Sequence, residues 1–216
     1  MIGIDAGLGI AAVALAMVLT PGPNMIYLVS RSITQGRAAG LISLLGVAVG
    51  FFVYLLAAVT GVSAVFALVP TMYTAIKIAG ACYLLWLAWN AIKPGGQSAF
   101  SPKDLPIDRP RKLFSMGLMT NLLNPKIAVL YVSLLPQFVD PAKGDIAMQS
   151  LSLGLIQITV ALTVNCLIVL TAGSVSSFLA RKPTWLRAQR YAMGTVLIGL
   201  AVSMAFDRTE AAAPRQ

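Results

Sequence analysis

Six long apolar stretches leave this 216-residue chain few ways to fold. A bilayer's hydrocarbon core is about 30 Å thick, and a helix rising 1.5 Å per residue needs about 20 residues to cross it. On that measure the spans run Ile4–Val29, Leu41–Val69, Met72–Ile92, Leu113–Phe138, Ile146–Leu170 and Tyr191–Phe206, the sixth being the shortest. Lipid offers no partner to backbone N–H and C=O groups, and six spans are too few for a barrel. The expected fold class is therefore an all-α integral membrane protein with six transmembrane helices.

The rest of the composition excludes most catalysts. Charged residues are only 11% of the chain, against about 25% in a soluble domain. There is no histidine, so no imidazole base, triad or imidazole metal site can form. Six of the seven acids lie in stretches too polar to span, and Cys82 and Cys166 sit singly inside apolar runs. That is neither a disulfide framework nor a metal cluster. No catalytic residue, cofactor or metal is expected. No Lys or Arg precedes Arg31, and Asp5 stands where a signal peptide would be basic, so a targeting peptide is not expected either.

The net charge of +9 is distributed as a membrane topology. Arg31 and Arg37 follow span 1; Lys93, Lys103, Arg109, Arg111 and Lys112 follow span 3; Arg181, Lys182, Arg187 and Arg190 follow span 5. These connections hold eleven basic residues, whereas the other loops and the termini hold only Lys143, Arg208 and Arg215. The positive-inside rule then puts both termini outside. Trp86, Trp89 and Trp185 fit an interfacial belt, and Lys77 lies close enough to the outer end of span 3 to snorkel. No nucleic-acid motif accompanies the basic residues, so nucleic acid is not an expected partner.

Residues 93–112 are proline-rich and polar, and read as a cytoplasmic linker between a first half, 1–92, and a second, 113–206, followed by a polar tail, 207–216. Three spans per half make any repeat an inverted one. A shift of 104 positions lays Leu19-Thr20-Pro21 on Leu123-Asn124-Pro125, Tyr27 on Tyr131 and Gly50 on Gly154.

The matched prolines are the sharpest local feature. Inside a helix, proline removes a hydrogen bond and clashes with the preceding turn. Span 1 carries Thr20-Pro21-Gly22-Pro23-Asn24, and span 4 carries Asn121, then Asn124-Pro125-Lys126. Thr-Pro and Asn-Pro each resemble an N-cap followed by proline at the first helical position. Both are expected to start a half-helix near the midplane, where free N–H groups suit an anionic group. One proline alone would read as a packing kink. Two matched breaks with polar flanks read as a substrate site.

Lys126 falls near the middle of span 4, where a cation costs about 2.5–3.5 kcal/mol to insert. It either snorkels or bonds a carbonyl, or it receives a ligand's carboxylate; the only acid within the spans is Asp5, at the outer end of span 1. Gln157 and Asn165 share one face of span 5, lining a cavity or bonding neighbouring helices. Gly46 and Gly50 give a small-xxx-small pattern better suited to packing inside the bundle than to a dimer.

Six spans in about 210 residues, with a Pro-Gly-Pro-Asn break and an Asn-Pro-Lys break, resemble the LysE/RhtB family of lysine and homoserine/threonine exporters of bacterial inner membranes. The resemblance covers about Ile4 to Phe206. The chain departs from it at Ala16, where many members have glycine, and at Asn24, where some have aspartate. The resemblance implies export of an amino acid or close derivative, driven by the proton gradient. The substrate carboxylate is then expected near Thr20–Asn24 and Asn124–Lys126. Asn121, Gln157, Asn165, Tyr27 and Tyr131 are candidates for its amine and side chain. A homodimer is compatible with this reading. The competing classes are a metal-ion exporter, a thiol–disulfide carrier using Cys82 and Cys166, and a non-transporting scaffold.

Overall fold

A computed structural model describes residues 2–68, 78–82, 84–86, 88–89, 92–93, 107–180, 191, 194–195 and 197–202. Every regular element among them is helical: α1 (Ile4–Leu19), α2 (Pro23–Gln35), α3 (Arg37–Leu68), α4 (Pro110–Leu122), α5 (Pro125–Val129) and α6 (Ile146–Ala180), with short 3-10 and π turns between α5 and α6.

Two stretches are long and apolar enough to cross a membrane alone, Arg37–Gly61 and Ile146–Ser174. The first and fourth expected spans are each broken. α1 and α2 meet at 55°, and α4 meets Pro125–Phe138 at 48°; each pair taken together is also long and apolar enough to cross. The described chain thus carries up to four spans. Helical positions between 78 and 92 and between 191 and 202 fall in the expected third and sixth spans. The rest of those spans, most of the 93–112 linker, Lys77, Trp185 and the 207–216 tail lie outside the described residues.

Boundaries differ from expectation where a specific residue sets them. Pro110 opens α4 at a first-turn position, so this helix begins inside the expected linker. Gly36, at φ 89°, turns the chain between α2 and α3 in a conformation that side-chain-bearing residues rarely adopt. α6 runs ten residues past the expected end at Leu170.

The bundle is apolar inside and out. Ile10, Met17, Leu28, Phe51, Leu55, Leu130 and Leu153 form its core, joined by Ala81, Leu84, Ala88, Leu197 and Ala201 from the expected third and sixth spans. Leu8, Leu45, Phe52, Leu56, Leu155 and Leu167 point outward, the reverse of a soluble surface and what a lipid solvent requires. Glycines bring α3 and α4 into backbone contact. A Cβ on Gly46 would strike the Phe114 carbonyl, one on Gly117 would strike the Ser43 carbonyl, and one on Gly50 would meet the Asn121 side chain. Gly46 and Gly50 thus serve packing within the chain, between α3 and α4.

Candidate functional site

Each break strands backbone carbonyls that a continuous helix would use, and in each a side chain from elsewhere takes one up. Pro21 has no N–H to offer the carbonyl four residues back, that of Met17. The Lys126 ammonium donates to it instead at 2.8 Å, and to the Thr20 carbonyl at 2.7 Å. At the second break the Tyr54 hydroxyl donates to the Leu122 carbonyl at 2.8 Å. Lys126 is only 4% exposed, and α1 ends beside it with the negative pole of its dipole. Of the roles left open for this lysine, bonding a carbonyl is therefore the one observed, because a proline 105 positions away frees one.

The two half-helix starts also differ from each other. Asn124 caps α5 as expected, its Oδ1 accepting from the Lys126 N–H at 3.1 Å. That N–H is thereby occupied rather than offered to an anion. Thr20 is not an N-cap. It ends α1, its hydroxyl donating back to the Ala16 carbonyl at 2.8 Å. α2 begins two residues later than the Thr-Pro pair implies, with Gly22 at the cap and Pro23 at the first position. Gly22 is extended (φ −164°), so its smallness serves space: a Cβ there would lie 3.0 Å from the Lys126 Nζ.

A cavity lies where the breaks meet α3 and α6. Its polar lining is Asn24, Lys126, Gln157 and Asn165, four of the residues singled out from sequence. Ala14, Met17, Val18, Met25, Phe51, Ile127, Leu130 and Ala161 complete it. Gln157, Ala161 and Asn165 are successive four-residue steps along one face of α6, so Ala161 was legible from that spacing. The rest of the apolar lining carries no signal that separates it from core.

The other candidates shape the site without lining it. Pro23 and Pro125 face outward and Pro21 is half-buried; they act by breaking the helices. Asn121 is fully buried against Gly50. Tyr131 donates to Gln157 Oε1 at 2.6 Å and stacks on Tyr54 at 5.6 Å. Tyr27 donates to the Leu113 carbonyl at 2.9 Å and accepts from Ser43 at 3.2 Å, outside the cavity.

These bonds decide what the cavity offers. Tyr131 occupies Gln157 Oε1, leaving the amide N–H groups. Asn165 donates to the Ala161 carbonyl at 2.8 Å, leaving its oxygen to accept. Asn24 Oδ1 is buried with no partner among the described residues. Donors and acceptors thus stand together against an apolar wall. The cavity measures ≈ 20 Å³, room for about one water.

A second polar cluster was not anticipated. At the end of α2, Arg31 pairs with Asp108, and Gln35 donates to the same carboxylate at 3.1 Å. Lys112 reaches it from α4 at 2.6 Å. Hydrogen bonds from Lys112 and Gln35, helped by the Arg31 charge, hold the Asp108 carboxyl below the usual carboxylate range. Sequence reasoning counted these residues only as loop charges. Among the described residues no group of three His, Cys, Asp or Glu side chains gathers to hold a metal. Cys82 and Cys166 are both free, and neither lines the cavity.

A leucine efflux protein of Klebsiella pneumoniae is 23% identical over 192 residues, 89% of this chain and 91% of the relative. A leucine efflux protein of Enterobacter is 26% identical over 196 residues, 89% and 91% of the two chains. The membrane protein YrhP of Bacillus subtilis is 31% identical over 147 residues, 63% and 69%. No solved structure matches. The family profile described as LysE type translocator matches residues 15–208, which takes in both breaks and every residue of the cavity except Ala14. This multi-pass membrane protein, an amino-acid efflux transporter and not an enzyme, belongs to the LysE-type translocators.

Proposed function

We propose that the chain exports an aliphatic amino acid across the bacterial inner membrane, using the proton gradient. The observation that carries this is the cavity between the breaks, where spare donors and acceptors face Met17, Phe51 and Leu130. The names of the leucine efflux relatives point the same way. The carboxylate lies toward the opening turn of α2, whose first N–H groups precede the first intrahelical bond, and toward Gln157. The aliphatic side chain lies on the apolar wall. Thr20, Pro21, Gly22, Pro23, Asn121, Asn124 and Pro125 hold the breaks open around it.

In this reading six spans form two inverted halves, 1–92 and 113–206, with both termini outside. The halves rock about the fixed site, and the glycine contacts of α3 with α4 are their pivot. Cells overexpressing the protein and preloaded with amino acids as dipeptides test the reading. Leucine, isoleucine or valine should appear in the medium several-fold faster than from control cells. Equal rates for all twenty amino acids would refute it.

A further inference from the structure

The Lys126 ammonium occupies a position that a substrate could also claim. Its two partners, the Met17 and Thr20 carbonyls, sit at the end of a sixteen-residue helix beside the cavity. Carbonyls at such broken-helix ends hold cations in other transporters. An amino acid brings the same chemical group, a primary ammonium, next to a carboxylate. Two ammonium groups cannot share those two oxygens in a buried cavity without strong repulsion.

We infer that the Lys126 ammonium and the substrate ammonium take turns on the Met17 and Thr20 carbonyls, so that Lys126 carries the proton exchanged for each amino acid exported. This rests on the export reading above and adds its coupling step. Opening to the cytoplasm draws Lys126 away from α1, and its NH3+ gives a proton to entering water and becomes NH2. The zwitterion then binds with its own NH3+ on the freed carbonyls. After release outside, the Lys126 amine takes a proton from external water and returns to the carbonyls. One proton enters per amino acid leaving, and one positive charge moves inward per cycle.

Among the described residues the surroundings contain no rival for this role. Among the described residues Lys126 makes no ion pair. Asp5 of α1 is exposed at the far end of that helix, about 18 Å from Met17 by helical rise. Arg31 of α2 is engaged with Asp108. The Tyr54 hydroxyl bonds the Leu122 carbonyl and that of Tyr131 bonds Gln157. Between Ile146 and Ser174, α6 carries no Asp, Glu, Lys or Arg.

The test uses the full chain in proteoliposomes with L-leucine as probe, reading leucine exchange, leucine affinity and proton flux with an entrapped pH dye. Wild-type protein should give leucine-dependent proton flux indifferent to sodium, and its affinity should weaken as pH falls. Lys126→Ala should lose the flux at least ten-fold and bind leucine several-fold more tightly at pH 6, with no pH dependence. Lys126→Gln, which keeps two N–H donors for the carbonyls, should do the same and serves if the alanine variant does not fold. Proton flux retained in either folded variant, or affinity weakened at every pH, overturns the inference. Wild-type protein that exchanges none of the twenty amino acids refutes the export reading itself, and the inference with it.

Discussion

Gly117→Ala probes the contact on which the two halves are proposed to turn. An added Cβ would lie 3.0 Å from the Ser43 carbonyl carbon and closer still to its oxygen. Carbon atoms settle at about 3.5–4.0 Å, so α3 and α4 would have to separate by up to about 1 Å. Overpacking of this kind costs about 1–3 kcal/mol, while replacing a helical glycine by alanine returns about 1 kcal/mol. Gly61→Ala on α3 provides the control, since a Cβ there meets nothing within 4 Å. The propensity gain is common to both variants, so Gly117→Ala should be less stable than Gly61→Ala by the full packing cost. At roughly 2–4 °C per kcal/mol for a chain of this size, the melting temperatures should differ by about 2–12 °C. Thermal unfolding of purified protein in one detergent reads this directly. Should Gly117→Ala melt at or above Gly61→Ala, the helices are not in backbone contact and the pivot is misplaced.

Other expectations follow from single contacts. Asn124→Ala removes the cap on the Lys126 N–H and should cost about 0.5–2 kcal/mol in thermal unfolding, whereas Asn124→Ser, which keeps an accepting oxygen, should cost less. Because the Asp108 carboxyl is held low in the folded protein, its stabilisation is complete above the ordinary carboxylate value of 3.8 and is lost as pH falls through the lowered one. Melting curves of wild type and Asp108→Asn should therefore differ at pH 7 and converge at the acid end; a constant gap would contradict the clasp. Cys82→Ser combined with Cys166→Ser should retain most transport, and loss of transport in each single mutant would favour a thiol carrier instead.

Features made by one residue type against its immediate neighbours were legible in the sequence. The apolar stretches yielded α3 and α6, and prolines 21, 23 and 125 marked both breaks, because a missing N–H ends a helix wherever it falls. Asn124 announced its cap for the same local reason. The start of α2 was misread because Pro21 and Pro23 each offer a first helical position. The space needed by Lys126 leaves glycine between them, and a glycine with extended backbone caps without a side chain. The partners of Lys126 were illegible for a different reason. They are backbone carbonyls, which every residue carries, and the chain distance of more than a hundred residues is bridged only by the fold. The pairing of Arg31 with Asp108 was lost similarly, since a charge at a span end looks the same whether it is solvated or clasped. Met17, Phe51 and Leu130 belong to an apolar alphabet in which cavity wall, core and lipid face share the same letters.

The central claim is that an amino acid passes through the cavity between the two breaks. Ala161 is small, 2% exposed and part of the cavity wall, whereas Leu155 on the same helix faces outward. In a background with both native cysteines replaced by serine, Ala161→Cys and Leu155→Cys would be labelled in membranes with a small thiol reagent, with and without saturating L-leucine, and transport measured alongside. Leucine should slow labelling at position 161 at least several-fold and leave position 155 unaffected. Equal labelling rates at position 161 in a variant that still transports leucine would place the pathway elsewhere.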